Sequence, residues 1–204
     1  MTIRFHTGDL PNLDKYTGDV AIDTEAMGLN PHRDRLCVVQ LSPGDGSADV
    51  VQIKAGQSEA PNIQALLADQ SKTKIFHFAR FDVALLEHSF GTVTTPIFCT
   101  KIASRLTRTY TDRHGLKDLT RELLDVDISK QQQSSDWGAE KLSDAQLAYA
   151  ASDVLHLHAM RDILVKRLAR EDRTEIANAC FEFLPTRTKL DLIGWPETDI
   201  FAHS

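Results

Sequence analysis

The sequence has no apolar stretch approaching the roughly 20 residues that a membrane-crossing helix needs, so no membrane role is expected. Its opening residues, "MTIRFHTGDLPNLDKY", lack the apolar core of a secretory signal, and the expected location is the cytoplasm. Cysteine is scarce. Cys37, Cys99 and Cys180 are odd in number and far apart, giving neither a disulfide framework nor the paired spacing of a zinc site. Reduced thiols fit that location. Excess positive charge is missing as well. The 204 residues carry a net charge of −6, whereas a protein that grips long nucleic acid presents a basic surface. Any nucleic-acid role is therefore expected to be local, through a few phosphate contacts or through metal ions. There is no internal repeat or low-complexity linker, and the length suits one large domain with at most a modest appendage.

Three strand-like runs fill much of the first third: "VAIDTEA", "RLCVVQLS" and "ADVVQIKA". The links "GLNPHRD" and "SPGDGS" are turn-rich, so the three strands are expected to form an antiparallel meander. "APNIQALLAD" and "ARFDVALLEHSF" read as helices separated by the strand "TKIFHF", with a short strand near "TPIFCT" and mainly helix beyond. This order predicts an α/β fold with helices packed on a sheet. Ser143 and Gln146 form a capping-box pattern, opening a helix expected to run to about Arg170. "EDRTEIANACFEFL" is expected to be another helix. The stretch from Pro185 to the end contains two prolines, a glycine, Trp195 and Phe201. It reads as too broken for a long helix, so residues 185–204 are expected to form an arm. That arm would dock on the body, residues 1–184, or on a neighbouring subunit.

Carboxylates interrupt several of these core-facing patterns. Asp23 and Glu25 stand two apart in "VAIDTEA" and so share one strand face. Asp82 lies on or beside the helix face marked by Phe81, Leu85 and Leu86. Tyr149, Asp153, Leu157, Met160 and Leu164 form a single helical stripe, placing Asp153 where an apolar residue is usual and Tyr149 one turn before it. Each has a plainer reading alone: a strand-edge charge, a helix cap, a satisfied hydrogen bond. Gathered inward and unpaired, however, these carboxylates would be prohibitively unfavourable. Divalent cations resolve the conflict, and hard oxygen ligands select magnesium or manganese. A pair of such ions, roughly 3.5–4 Å apart, is suited to phosphodiester hydrolysis.

The motifs "DTE", "HFARFD" and "YAASD", in that order, resemble the three exonuclease motifs of the DEDD superfamily of 3′–5′ exonucleases. Tyr149 before Asp153 is the mark of the tyrosine-type branch; the position a histidine fills in the other branch is Ala148. "CTKIASRL", "HGLKDLTRELL" and "QQSSDWGAEKLSDAQLAYAASDVLHL" are similar to RNase D, whose additional C-terminal helical domains this chain is too short to hold. A stand-alone RNase D-like domain of this length resembles the nanoRNase C group. The resemblance implies a ribonuclease H-like fold, with a mixed sheet of antiparallel meander plus parallel strands flanked by helices. It implies two divalent cations, Mg2+ or Mn2+, on Asp23, Glu25, Asp82 and Asp153, with Tyr149 orienting the attacking water. The implied substrates are short RNAs, chiefly dinucleotides, including linear products of cyclic dinucleotide breakdown; trimming of longer structured RNA 3′ ends is the alternative. A homo-octamer is also implied. Leu29 aligns with a wedge leucine between the last two bases, or else simply closes a turn. Thr24, Gly28, His77 and Phe81 join it as substrate-contact candidates, Phe81 also reading as a core residue. Lys101, Arg105, Arg108, Arg113, His114 and Lys117 are candidates to cap a 5′ phosphate.

Overall fold

The computed structural model describes residues 2–203. Its centre is a six-stranded sheet in the order β1-β4-β3-β2-β5-β6. The strands are β1 (Thr2–Thr7), β2 (Val20–Ala26), β3 (Leu36–Ser42), β4 (Ser47–Gln52), β5 (Lys74–Phe76) and β6 (Ile97–Cys99). β2, β3 and β4 form the expected antiparallel meander, while β5 and β6 extend it in parallel from β2. The helices are α1 (Pro61–Ala68), α2 (Ala79–Phe90), α3 (Thr100–Thr107), α4 (Leu116–Leu124), α5 (Asp144–Leu155), α6 (Leu157–Arg170) and α7 (Thr174–Leu192). Every residue of β3 is buried, which explains its near-continuous apolar run: a strand covered on both faces need not alternate.

β1 was not expected from the sequence. It pairs in parallel with β4 on the sheet edge and is held there by charge. Asp49 of β4 has no solvent exposure, and its carboxylate receives Arg4 at 3.1 Å, His6 at 2.8 Å and the Tyr16 hydroxyl at 2.6 Å, with Lys15 also paired to it. Burial alone would raise the pKa of Asp49, but Lys15, Tyr16 and His6 hold it below the usual carboxylate value. Asp49→Ala leaves these donors without an acceptor. It is expected to cost about 3 kcal/mol in urea denaturation, with exposure of β1 read by hydrogen exchange.

Two helical expectations need correction. The run from Ser143 to Arg170 is two helices, interrupted at His156. No glycine or proline marks the break; its cause is tertiary. α5 packs on β2, β3 and β4, whereas α6 packs on α3 and α4, so the chain must turn between them. The capping box at its start is present, with Gln146 N donating to Ser143 Oγ and Ser143 N to Gln146 Oε1. The second correction concerns Pro185, which does not end α7 but lies inside it. A proline in a helix forfeits one backbone bond, yet α7 packs along α2, and Arg80 clamps Asp191 in its last turns at 2.7 and 2.8 Å. Helix thus extends into residues assigned to the arm. Beyond Leu192 the chain folds back on itself: Arg187 donates to the carbonyl of Trp195 at 2.6 Å, and Phe183 packs near Phe201.

Candidate active site

β2 carries Asp23 and Glu25 on one face, α5 supplies Tyr149 and Asp153 one turn apart, and α2 supplies Asp82 in its first turn. Carboxylate oxygens of Asp23, Glu25 and Asp153 all lie within 4.8 Å of one another. Asp82 borders the same cleft as that trio, close enough for its charge to act on Glu25 and for Asp23 to repel it. Its Oδ1 accepts from the Thr24 hydroxyl at 2.6 Å, which ties the start of α2 to β2. All four candidate carboxylates thus line one cleft, three of them sharing the 4.8 Å cluster.

Burial drives the electrostatics. It raises Asp23 to about 7, against hydrogen bonds from the Thr24 backbone and from Gln40 that lower it. Glu25 is raised to about 10 by burial and then by the charges of Asp23, Asp153 and Asp82. Asp82 and Asp153 are likewise pushed well above the ordinary carboxylate value by burial, with Asp23 adding repulsion to each. No lysine or arginine is among the charges acting on Glu25. The trio thus offers only oxygen donors, close enough to share an ion, and negative charge that no side-chain cation among the described residues balances. That donor set fits a hard divalent cation. Tyr149 is raised by burial and by Asp153, Glu25 and Asp23, so its hydroxyl keeps its proton at any physiological pH.

Around these groups opens a cleft of about 700 Å³. All ten candidates line it: Asp23, Thr24, Glu25, Gly28, Leu29, His77, Phe81, Asp82, Tyr149 and Asp153. α2 enters it from a strained start, because Phe78 before the helix adopts a left-handed conformation with φ 70°.

The 3′–5′ exonuclease family profile matches residues 7–169. Brucella melitensis NrnC, a nanoRNase C, is similar over all of both chains. It is 69% identical with a TM-score of 0.97 in a structure with bound Mg2+, and 70% identical with a TM-score of 0.98 in one bound to pGG. The chain belongs to the 3′–5′ exonucleases, in the nanoRNase C group. Ribonuclease D of Gluconacetobacter diazotrophicus is 36% identical over 156 residues, which are 76% of this chain but 39% of that protein. The chain thus spans about two-fifths of the length of such relatives. Escherichia coli RNase D shares the fold, with a TM-score of 0.80 at 22% identity, over 93% of this chain and 51% of that one.

In this nanoRNase C chain the candidates differ in how free they are. Leu29 is 84% exposed at the lip of the cleft, a position that packing does not explain. Gly28 has a structural reason of its own, since a Cβ there would run into the Asp34 carboxylate. The Thr24 hydroxyl is committed to Asp82. His77 is lowered to about 3 by burial and is neutral, with Nδ1 2.9 Å from Thr100 Oγ1. Phe81 is half-buried and packs against the core while lining the cleft.

The basic candidates separate sharply. Lys101 and Lys117 line the cleft; Arg105 lines a different pocket. Arg108 is 1% exposed, pairs with Glu122 and donates to Ser104 Oγ and the Arg113 carbonyl, so it braces a loop and cannot cap a phosphate. His114 is engaged with Ser104 at 2.9 Å.

Residues in and behind the cleft were missed in the sequence, among them Lys130, Gln40 and Trp137. Lys130 joins Lys101 and Lys117 in the lining. Gln40, opposite Asp23 in the β2–β3 register, donates to Asp23 Oδ2 at 2.8 Å; a glutamine inside "LCVVQLS" was the available signal. Trp137 is 2% exposed, stacks near Tyr149 at 5.9 Å, and its buried Nε1 has no partner among the described residues.

Proposed function

We propose that the protein is a metal-dependent 3′–5′ exoribonuclease that degrades short oligoribonucleotides, above all dinucleotides, to nucleoside 5′-monophosphates. The observation that carries this is the trio of Asp23, Glu25 and Asp153 within 4.8 Å, uncompensated and facing a cleft whose lip bears the exposed Leu29. The Mg2+-bound and pGG-bound NrnC structures, at 69 and 70% identity, support the metal and the short substrate. Asp23, Glu25 and Asp153 would hold two divalent cations, Mg2+ or Mn2+, with Asp82 completing the set. When bound, such ions act as Lewis acids on the phosphodiester and lower the pKa of water.

The chain's own residues do the rest. Tyr149 Oη, keeping its proton, orients the attacking water and does not deprotonate it. Water adds to phosphorus and the bond to the 3′ oxygen breaks. Leu29 inserts between the two bases, and Lys117 and Lys130 face the 5′ phosphate in the cleft. Gln40 fixes the rotamer of Asp23 through its hydrogen bond. With a net charge of −6 and few lysines in the cleft, there is little to hold a long backbone. Linear products of cyclic dinucleotide breakdown belong to this substrate class. A cytoplasmic homo-octamer is the assembly that the nanoRNase C resemblance implies.

Rates on 5′-labelled RNAs of different lengths test the reading. A steep preference for the dinucleotide is expected; a flat profile, or a preference for long RNA, favours trimming of structured RNA ends. Tyr149→Phe should lower kcat on the order of a hundredfold while Mg2+ affinity is kept. If metal affinity fell too, Tyr149 would belong to the ligand set. Leu29→Ala should raise KM for a dinucleotide about tenfold, through lost apolar contact with the bases.

A further inference from the structure

Beyond the cleft, across Phe78 and Lys101, lies a second pocket of about 260 Å³ between α3 and α7. Its walls are apolar, with Phe183, Leu184 and Cys180 on the α7 side, and no carboxylate lines it among the described residues. Of its cations, Arg80 and Arg187 are neutralised by Asp191. Lys101 and Arg105 have no such partner among the described residues. They stand one turn apart on α3, a like-charge spacing that is unfavourable unless an anion intervenes. Lys101 is lowered first by burial and then by the neighbouring Arg105, opposed by Cys99. Lys101 Nζ also lies 4.2 Å from the centre of the Phe78 ring, so the wall shared with the cleft has an aromatic face and a cation together.

We propose that this pocket is a second site that takes a free nucleoside 5′-monophosphate, with its base between Phe78 and Phe183 and its phosphate on Lys101 and Arg105. The volume falls just below the roughly 300–1,000 Å³ of small-ligand sites, so it takes at most one nucleotide, partly open to solvent, and not a strand. The choice of nucleotide rests on the exonuclease reading, which makes nucleoside monophosphates the product released beside Phe78. Occupancy would couple product level to turnover through that shared wall.

The test is calorimetric titration of guanosine 5′-monophosphate into the protein in excess EDTA, where the carboxylate site cannot contribute through metal. Wild type and Asp153→Asn are expected to bind alike. Arg105→Glu, and Cys180→Phe, which fills the pocket, should each weaken binding tenfold or more. Both variants should retain dinucleotide hydrolysis but lose its inhibition by added monophosphate. Absence of binding in EDTA overturns the proposal, as does binding unchanged in Arg105→Glu. Inorganic phosphate binding as tightly would reduce the site to an anion hole and overturn the nucleotide assignment. Tighter binding of pGGG than pGG that depends on Arg105 would give the pocket to a third nucleotide of the strand. A change of mass in light scattering of Arg105→Glu would give it to a second copy of the chain. Loss of hydrolysis on every RNA in wild type would instead refute the exonuclease reading and leave the EDTA titration to stand alone.

Discussion

Asp153→Asn is expected to lower turnover at least about a thousandfold, from the several kcal/mol that a Lewis-acid ion contributes to such a transition state. In the same variant the metal-free protein should melt no lower than wild type, and higher above neutral pH. The two effects have one cause. Asp153 shares a 4.8 Å cluster with Asp23 and Glu25, and Asp23 is the charge that repels it. An amide of the same shape keeps the packing around Tyr149 while deleting one buried charge from an uncompensated set. A structural role for Asp153 predicts the opposite pairing: lowered Tm with activity lost in proportion to unfolding. Thermal melts in EDTA beside steady-state rates in Mg2+ separate the two.

The second large effect is on stability against pH. Burial raises Asp23 to about 7 and Glu25 to about 10, both far above the unfolded value near 4. A carboxyl raised in the folded state holds its proton there while the unfolded chain has lost it. Its contribution is therefore fully present below about pH 4 and is lost as pH rises through the folded value. The metal-free protein should lose stability progressively from about pH 4 through 7 and on towards 10, apart from what other groups contribute. Mg2+ binds the ionised forms, so the rise in Tm on adding it should grow with pH across that window. A Tm increment independent of pH would mean the ion binds elsewhere.

These carboxylates were legible in the sequence because secondary-structure periodicity alone places them. Two residues apart on a strand, and four apart on a helix, define a face without any knowledge of the partner element. The same reasoning found Leu29 only through family resemblance, and its 84% exposure is what gives it a physical argument. Periodicity failed where the decisive partner is distant in the chain. β1 is held by Asp49, some 45 residues away, and the alternating "TIRFHT" is too short and polar to announce itself. The break at His156 exists because α5 and α6 face different neighbours. Pro185 is tolerated because α2 and the Arg80–Asp191 pair hold α7 on both sides of it. In the site, Thr24 anchors Asp82 through a contact between β2 and α2 that no local pattern encodes. Gln40 was signalled only as a polar residue in an apolar strand, and Trp137 not at all, because their roles come from strand register and from packing beside Tyr149, not from their own spacing.

The most direct test of the central claim is the initial rate of pGG hydrolysis as a function of free Mg2+, from excess EDTA to saturation. The trio predicts no turnover in EDTA, a saturable rise with Mg2+, and none of that rise in Asp23→Asn. Hydrolysis that persists unchanged in excess EDTA, or a full Mg2+ response in Asp23→Asn, would contradict it.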